Sequence, residues 1–166
     1  MSKRQVPPPT VVSSLELKVP PLVVVLCCAL SMWLTSKLLP TMELPLTNGL
    51  RVGVATAMAI SGLCIAAAGV VSFRKAKTTV NPTKPAATSS LVSEGIYRYT
   101  RNPMYLAMAL VLLAWAILLS DMSAFLFVPL FVVYINRFQI DPEERALLAL
   151  FGSEYRTYRE KVRRWL

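Results

Sequence analysis

The sequence contains no histidine, and its 9 acidic residues are outnumbered two to one by its 18 basic residues. The absence of histidine excludes imidazole acid–base catalysis and removes the commonest metal ligand in proteins, so no metal site is expected. The three cysteines, Cys27, Cys28 and Cys64, all lie inside apolar runs. At such positions cysteine acts as a small hydrophobic residue, so we do not expect a disulfide framework.

Charged residues are also scarce, at 16% of the chain, whereas apolar residues make up 55% and the mean hydropathy is +0.52. This composition is typical of an integral membrane protein rather than a soluble domain. The net charge of +9 comes from basic residues beside the apolar runs, where they set topology and meet anionic lipid headgroups. We therefore expect membrane lipids as partners and no nucleic-acid partner.

Four apolar runs predict four transmembrane helices, which makes the chain an all-α, polytopic membrane protein. The runs at 20–39 and 50–73 are long enough to cross a bilayer, and the second is rich in glycine and alanine, which favours close helix packing. The runs at 103–120 and 123–140 are near the lower limit of about 17 residues. They predict a hairpin with a tight turn at 120–122.

These runs form one predicted membrane-embedded domain, residues 1–166, with three parts. A flexible N-terminus (1–19) precedes two scaffold spans (20–73), and a connector, the hairpin and an amphipathic helical tail follow (74–166). Gly152 predicts a break between two short tail helices. The positive-inside rule places both termini and the connector in the cytosol. Short loops, compact size and no evident targeting signal favour a prokaryotic inner membrane as the location.

Polar residues gather at the start of the first helix of the predicted hairpin and just after the end of its second helix. Asn102-Pro103 predicts a helix start with asparagine as the cap. Residues 141–144 (Asp-Pro-Glu-Glu) predict a second helix start, with Asp141 as the cap and Glu144 closing a capping box. A carboxylate at the membrane surface is also a suitable seat for an ammonium or sulfonium group. The two blocks together therefore predict a ligand site beside the hairpin.

Short motifs recur in a fixed order across the C-terminal half: Leu91-Val92, Gly95-Ile96-Tyr97, Arg101-Asn102-Pro103-Met104-Tyr105-Leu106, Glu143-Glu144, Phe151-Gly152-Ser153-Glu154-Tyr155 and Tyr158. Their order and spacing resemble the isoprenylcysteine carboxyl methyltransferase and phospholipid methyltransferase family of membrane enzymes. The resemblance implies an S-adenosylmethionine-dependent methyltransferase that acts on a lipophilic small molecule or lipid. It leaves open whether the acceptor is a carboxylate, an amine or a thiol, and it leaves the oligomeric state open.

The resemblance also implies roles for individual residues. The cofactor contacts carried onto matching positions are Ser90, Leu91, Val92, Tyr97, Arg101, Asn102, Pro103, Met104, Tyr105 and Glu143. The candidates for the transfer step are Arg137, Glu144 and Tyr158, of which Arg137 lies close to the place of an arginine that contacts the substrate carboxylate in the family. Eukaryotic carboxyl methyltransferases carry histidine at the position of Asn102, and asparagine can also donate or accept a hydrogen bond.

Three alternatives stay open beside a carboxyl methyltransferase. The same scaffold suits a phospholipid or amine N-methyltransferase, and some sterol reductases share the hairpin and use a nicotinamide cofactor. A small four-helix transporter or assembly protein is the non-enzymatic alternative. Transporters place ionisable groups deep in the bilayer, whereas here they lie at the ends of the apolar runs. Because methyl transfer from a sulfonium to an anion depends mainly on alignment, the lack of histidine does not argue against it.

Overall fold

The computed structural model describes residues 16–39, 41–76 and 90–166, and these residues are mostly helical. The α-helices in these ranges are α1 (Pro21–Leu38), α2 (Asn48–Lys75), α3 (Pro103–Leu119), α4 (Phe127–Ile135), α5 (Asp141–Phe151) and α6 (Ser153–Lys161). The shorter turns are two 3-10 helices, Gly95–Arg98 and Met122–Leu126, and a π-turn at Asn136–Ile140. The prediction of an all-helical fold is confirmed for the described residues. Of the predicted flexible N-terminus, 1–19, residues 1–15 lie outside them, and so do residues 77–89 of the connector.

Among the described residues, three helical stretches are long and apolar enough to cross a membrane: Pro21–Leu38, Asn48–Lys75 and Met122–Phe151. Helix α3 is also apolar but has 17 residues, which gives a length of about 25 Å at 1.5 Å per residue. Large apolar side chains such as Leu26 on α1 and Leu63 on α2 are more than half exposed. Such exposed apolar faces suit contact with lipid.

The second helix of the predicted hairpin does not end at residue 140. Met122–Leu126, α4, the π-turn and α5 follow one another without a break. Asp141 keeps helical backbone angles, and its N–H donates to the carbonyl of Asn136, five residues earlier. The predicted cap at Asp141 and the predicted capping box at Glu144 are therefore wrong. Pro142 has no N–H to donate, and the helix accommodates it by widening into a π-turn.

Helix α2 packs against α3 through small residues. A Cβ added at Gly62 would lie 3.0 Å from the carbonyl oxygen of Ala107, and one added at Gly69 would lie 3.0 Å from the sulfur of Met104. The seven-residue spacing puts both glycines on one face of α2. The predicted close packing is confirmed, and it brings the end of α2 beside the start of α3. The apolar core between α1, α3 and α4 includes Met32, Leu112, Phe131 and Ile135.

The tight turn predicted at 120–122 is present at the other end of the hairpin. Ser120 has a φ of +56° and ends α3. The Asp121 carboxylate accepts hydrogen bonds from the Thr41 N–H at 2.7 Å and the Thr41 hydroxyl at 2.8 Å. It also accepts from the Ser123 N–H at 2.9 Å. These bonds tie the loop between α1 and α2 to the hairpin turn.

Candidate functional site

The two polar blocks meet through Tyr105 and Glu143. Tyr105 lies in the first turn of α3, and its hydroxyl donates a hydrogen bond to Oε1 of Glu143 in the first turn of α5. Pro103 occupies the first turn of α3, as predicted, where its fixed φ suits the helix start. Tyr105 is only 5% exposed. Two residues that were predicted separately as cofactor contacts therefore share one partly buried hydrogen bond.

Arg101 lies just before α3 and holds the C-terminal segment in place. Its Nη2 is 2.8 Å from Oε1 of Glu144, and its Nη1 donates to the carbonyls of Arg159 and Val162 at 2.9 Å. Its backbone N–H donates to the carbonyl of Arg163 at 3.0 Å. The side chains of Arg101 and Glu144 are only 10% and 11% exposed. Arg101 thus fastens the tail across the start of α3.

Glu144 also binds a second arginine. Nη2 of Arg164 lies 2.8 Å from Oε2 of Glu144 and 3.1 Å from Oδ1 of Asp141. Burial alone would lower the pKa of Arg164, but the hydrogen bond and the charge of Glu144, followed by those of Asp141, raise it above its ordinary value. Because two arginines neutralise its carboxylate, Glu144 can be buried without a large cost in free energy.

Asn102 does not cap α3. Its side chain makes no capping hydrogen bond, and its Nδ2 donates instead to the carbonyl of Arg164 at 3.0 Å. Thr100 is 1% exposed, donates its hydroxyl to the same carbonyl at 3.3 Å, and accepts from the Asn102 N–H at 3.2 Å. The predicted asparagine cap is therefore wrong, because a tail carbonyl takes the side-chain amide.

Tyr97 and Tyr158 form a buried layer beside this group. The Tyr158 hydroxyl donates to the carbonyl of Tyr97 at 2.8 Å. The Tyr97 ring packs edge-on against Phe73 of α2, with ring centroids 5.4 Å apart. Burial raises the pKa of Tyr97, and the nearby Tyr158 and Glu143 raise it further; burial also raises the pKa of Tyr158. Both phenols therefore stay protonated near pH 7.

A cavity of about 580 Å³ lies between the end of α2 and residues 90–96. Its lining includes Ser90, Leu91 and Val92, three of the predicted cofactor contacts, but neither Tyr105 nor Glu143. The volume lies within the range of about 300–1,000 Å³ that is usual for small-molecule sites. The structure thus divides the predicted cofactor residues between this cavity and the Tyr105–Glu143 hydrogen bond.

Gly95 shapes one wall of the cavity. Its φ is +63°, and a Cβ at this position would lie 2.6 Å from the hydroxyl of Ser72 on α2. A residue with a side chain would therefore be strained in its backbone and would also clash with α2.

Two predicted site residues remain, Met104 and Arg137, and neither lines the cavity. Met104 packs its sulfur against Gly69, so its contact is with α2. Arg137 lies in the π-turn with an exposed side chain, and no ion pair joins it to another described residue. Sequence reasoning missed Thr100 and Arg164, which bind partners 64 and 20 residues away along the chain. No local pattern marks such pairings.

Comparison with known proteins points to one enzyme family. The sequence model of the phospholipid methyltransferase family matches residues 50–154, more than half of the chain. An uncharacterised protein of Haemophilus influenzae is 52% identical over 63 residues, which are 38% of this chain and 100% of that protein. The protein-S-isoprenylcysteine O-methyltransferase of Schizosaccharomyces pombe is 35% identical over 72 residues, which are 43% of this chain but only 30% of that enzyme. No solved structure matches the chain.

Proposed function

The chain belongs to the phospholipid methyltransferase family and is a membrane methyltransferase, and from this premise we propose that it transfers a methyl group from S-adenosylmethionine to a lipophilic acceptor. The observation that carries the proposal is the partly buried hydrogen bond between Tyr105 and Glu143. It joins the two helices whose polar ends were predicted to bind the cofactor. The comparison with an isoprenylcysteine methyltransferase favours a carboxylate acceptor, with a phospholipid or amine acceptor as the alternative.

The residues present fit this cofactor. S-adenosylmethionine would supply an activated methyl group on a positively charged sulfur. Glu143 offers a carboxylate that accepts one hydrogen bond from Tyr105, and a carboxylate has about four acceptor sites, so others are open to an ammonium group. Ser90, Leu91 and Val92 would hold the ligand in the cavity between the end of α2 and residues 90–96, which is large enough for a molecule of this size.

The other site residues keep this region ordered and poor in water. Arg101, Glu144 and Arg164 hold the tail across the start of α3, which excludes water from the polar group below it. Opposite charges attract more strongly where water is excluded. Tyr105 fixes the carboxylate of Glu143, so the chain provides alignment and charge and needs no general base for an anionic acceptor.

The three transfer-step candidates take different proposed roles. Glu144 and Tyr158 act as positioning residues, because Glu144 is paired with two arginines and the Tyr158 hydroxyl is bound to the carbonyl of Tyr97. Arg137 has an exposed guanidinium six residues before Glu143. It is therefore the proposed contact for an anionic group on the acceptor.

We also propose four spans with both termini in the cytosol of a prokaryotic cell, and a single domain in which 20–73 is scaffold and 74–166 carries the site. From Met122 to Asp141 the helix rises about 29 Å, close to the hydrocarbon thickness of about 30 Å, which puts the acidic block at the membrane surface. An impermeant thiol reagent on intact cells should label Lys37→Cys and not Lys75→Cys. The reverse labelling pattern would overturn this orientation.

Methyl transfer itself is tested with a labelled methyl donor and a membrane lipid extract. We expect Tyr105→Phe to transfer at least about 10-fold more slowly than wild type, because it loses a hydrogen bond to a charged group worth about 1.5–3 kcal/mol. Tyr99→Phe is the matched control, since Tyr99 is 73% exposed. Base releases the label as methanol from a methyl ester but not from a methylated amine. Wild-type transfer by Tyr105→Phe, or no labelled lipid with wild type, contradicts the proposal.

A further inference from the structure

Pro142 leaves one backbone acceptor without its usual helical partner. A carbonyl in an α-helix accepts from the N–H four residues later, and proline has no N–H. The carbonyl of Phe138 therefore cannot be satisfied by residue 142. The neighbouring Asp141 N–H does not take its place, because it donates to Asn136. The carbonyl of Phe138 therefore lacks its usual α-helical donor and can accept from another part of the chain.

Residues 16–19, which we call the N-terminal strap, supply that partner. The N–H of Leu17 donates to the carbonyl of Phe138 at 3.0 Å. Leu17 has a φ of +57°, a left-handed conformation that is unfavourable for a residue with a side chain. Such a conformation persists only where the surroundings hold it. The strap is therefore bound to the helix at a defined point.

Two side-chain contacts fix the strap further. Gln139 is completely buried, and its Nε2 donates to the carbonyl of Val19 at 2.6 Å. The carboxylate of Glu16 is paired with the guanidinium of Arg145 and is only 3% exposed. A carboxylate buried to this degree is unfavourable without its partner. The bonds to Gln139 and Arg145 lie on either side of Glu143 along the helix.

We infer that the strap is a positioning device, and that Glu16, Gln139 and Arg145 are positioning residues that keep Glu143 turned toward Tyr105. The inference rests on the proposed function of the Tyr105–Glu143 pair. Glu143 lies four residues after Gln139 and two before Arg145, so it turns with them. The π-turn just before α5 is a place where a helix can change its direction and rotation. The strap is bonded to Phe138 and Gln139 within this turn and to Arg145 after it.

Charge reversal tests the inference on the full-length chain in detergent. We expect Glu16→Arg and Arg145→Glu each to weaken binding of S-adenosylhomocysteine by at least about fivefold, the lower end of typical coupling between sites. The double variant restores the ion pair with opposite polarity, so it should return to the wild-type Kd. Arg156→Glu is the matched control on an exposed arginine of α6. Calorimetry gives the Kd, and thermal unfolding gives the Tm of each variant.

The outcomes distinguish failure of the inference about the strap from failure of the proposed function. If wild type binds the ligand and the single reversals lower only the Tm, or if the double variant does not recover affinity, the strap is merely structural and the inference is overturned. If wild type binds no ligand, the proposed function fails and the inference falls with it. Should a reversal variant not fold, Glu16→Gln keeps the size and removes the charge. A wild-type Kd in that variant then overturns the inference.

Discussion

Replacing Arg101 with lysine should release the C-terminal tail even though the charge is kept. The guanidinium of Arg101 makes three hydrogen bonds at once, to Glu144 and to two tail carbonyls. A lysine ammonium is a single point charge on a flexible stem and cannot reproduce this planar fork. We therefore expect Arg101→Lys to behave almost like Arg101→Ala.

The magnitude follows from the contacts that are lost. Hydrogen bonds that involve a charged group contribute about 1.5–3 kcal/mol each. Arg164 still neutralises Glu144 in the variant, and water can reach the two carbonyls once the tail loosens. We therefore expect the free energy of unfolding to fall by about 3 kcal/mol in total. This corresponds to a fall in Tm of about 6–12 °C for a chain of this length.

Two assays on protein in lipid nanodiscs test this prediction. Thermal unfolding measures the loss of stability, and trypsin measures release of the tail, because α6 carries exposed cleavage sites such as Arg156 and Arg159. Both Arg101 variants should be cleaved in the tail faster than wild type. Arg98→Lys serves as the control, since Arg98 is exposed. Wild-type stability and wild-type tail cleavage in Arg101→Ala would refute the role given to Arg101.

Three further predictions concern the scaffold. In an unfolding titration, Gly95→Ala should lose at least about 1–2 kcal/mol of stability, because alanine is strained in the left-handed conformation. Any further loss comes from the clash with Ser72, so adding Ser72→Ala should recover part of it. Gly62→Ala should lose about 1–3 kcal/mol in the same assay, because the added Cβ meets an α3 carbonyl at 3.0 Å. Hydrogen bonds, above all from the Ser123 hydroxyl, lower the pKa of Asp121 from 3.8 to about 2. This stabilisation is present above pH 3.8 and is lost as the pH falls through about 2, so the Tm advantage of wild type over Asp121→Asn should shrink across that window.

Hydropathy was enough to place the first two predicted membrane helices. The predicted runs at 20–39 and 50–73 agree within two residues with α1 and α2, because run length and the polar flanks together set where a membrane helix ends. The meeting of Tyr105 and Glu143 was also predictable, since both flank one hairpin. The local signals at Asn102 and Asp141 were misleading. A cap pattern describes what a side chain can do, but tertiary partners decide what it does.

The contacts that organise the site could not be predicted from local pattern. The ion pair between Glu16 and Arg145 joins residues 129 positions apart, and the bond from Asn102 to the Arg164 carbonyl joins residues 62 apart. Neither side chain carries a periodic or motif-like signal for its partner. The π-turn was equally hidden, because proline after a polar residue more often marks the start of a helix than its interior.

Binding of S-adenosylhomocysteine by calorimetry tests the central claim most directly. Glu143→Gln replaces the half-buried carboxyl group beside Tyr105 with an amide, and Glu154→Gln makes the same change at an exposed position in α6. The account predicts that Glu143→Gln weakens binding by about 30-fold, equivalent to about 2 kcal/mol, while Glu154→Gln binds like wild type. Equal affinities for wild type, Glu143→Gln and Glu154→Gln would contradict it.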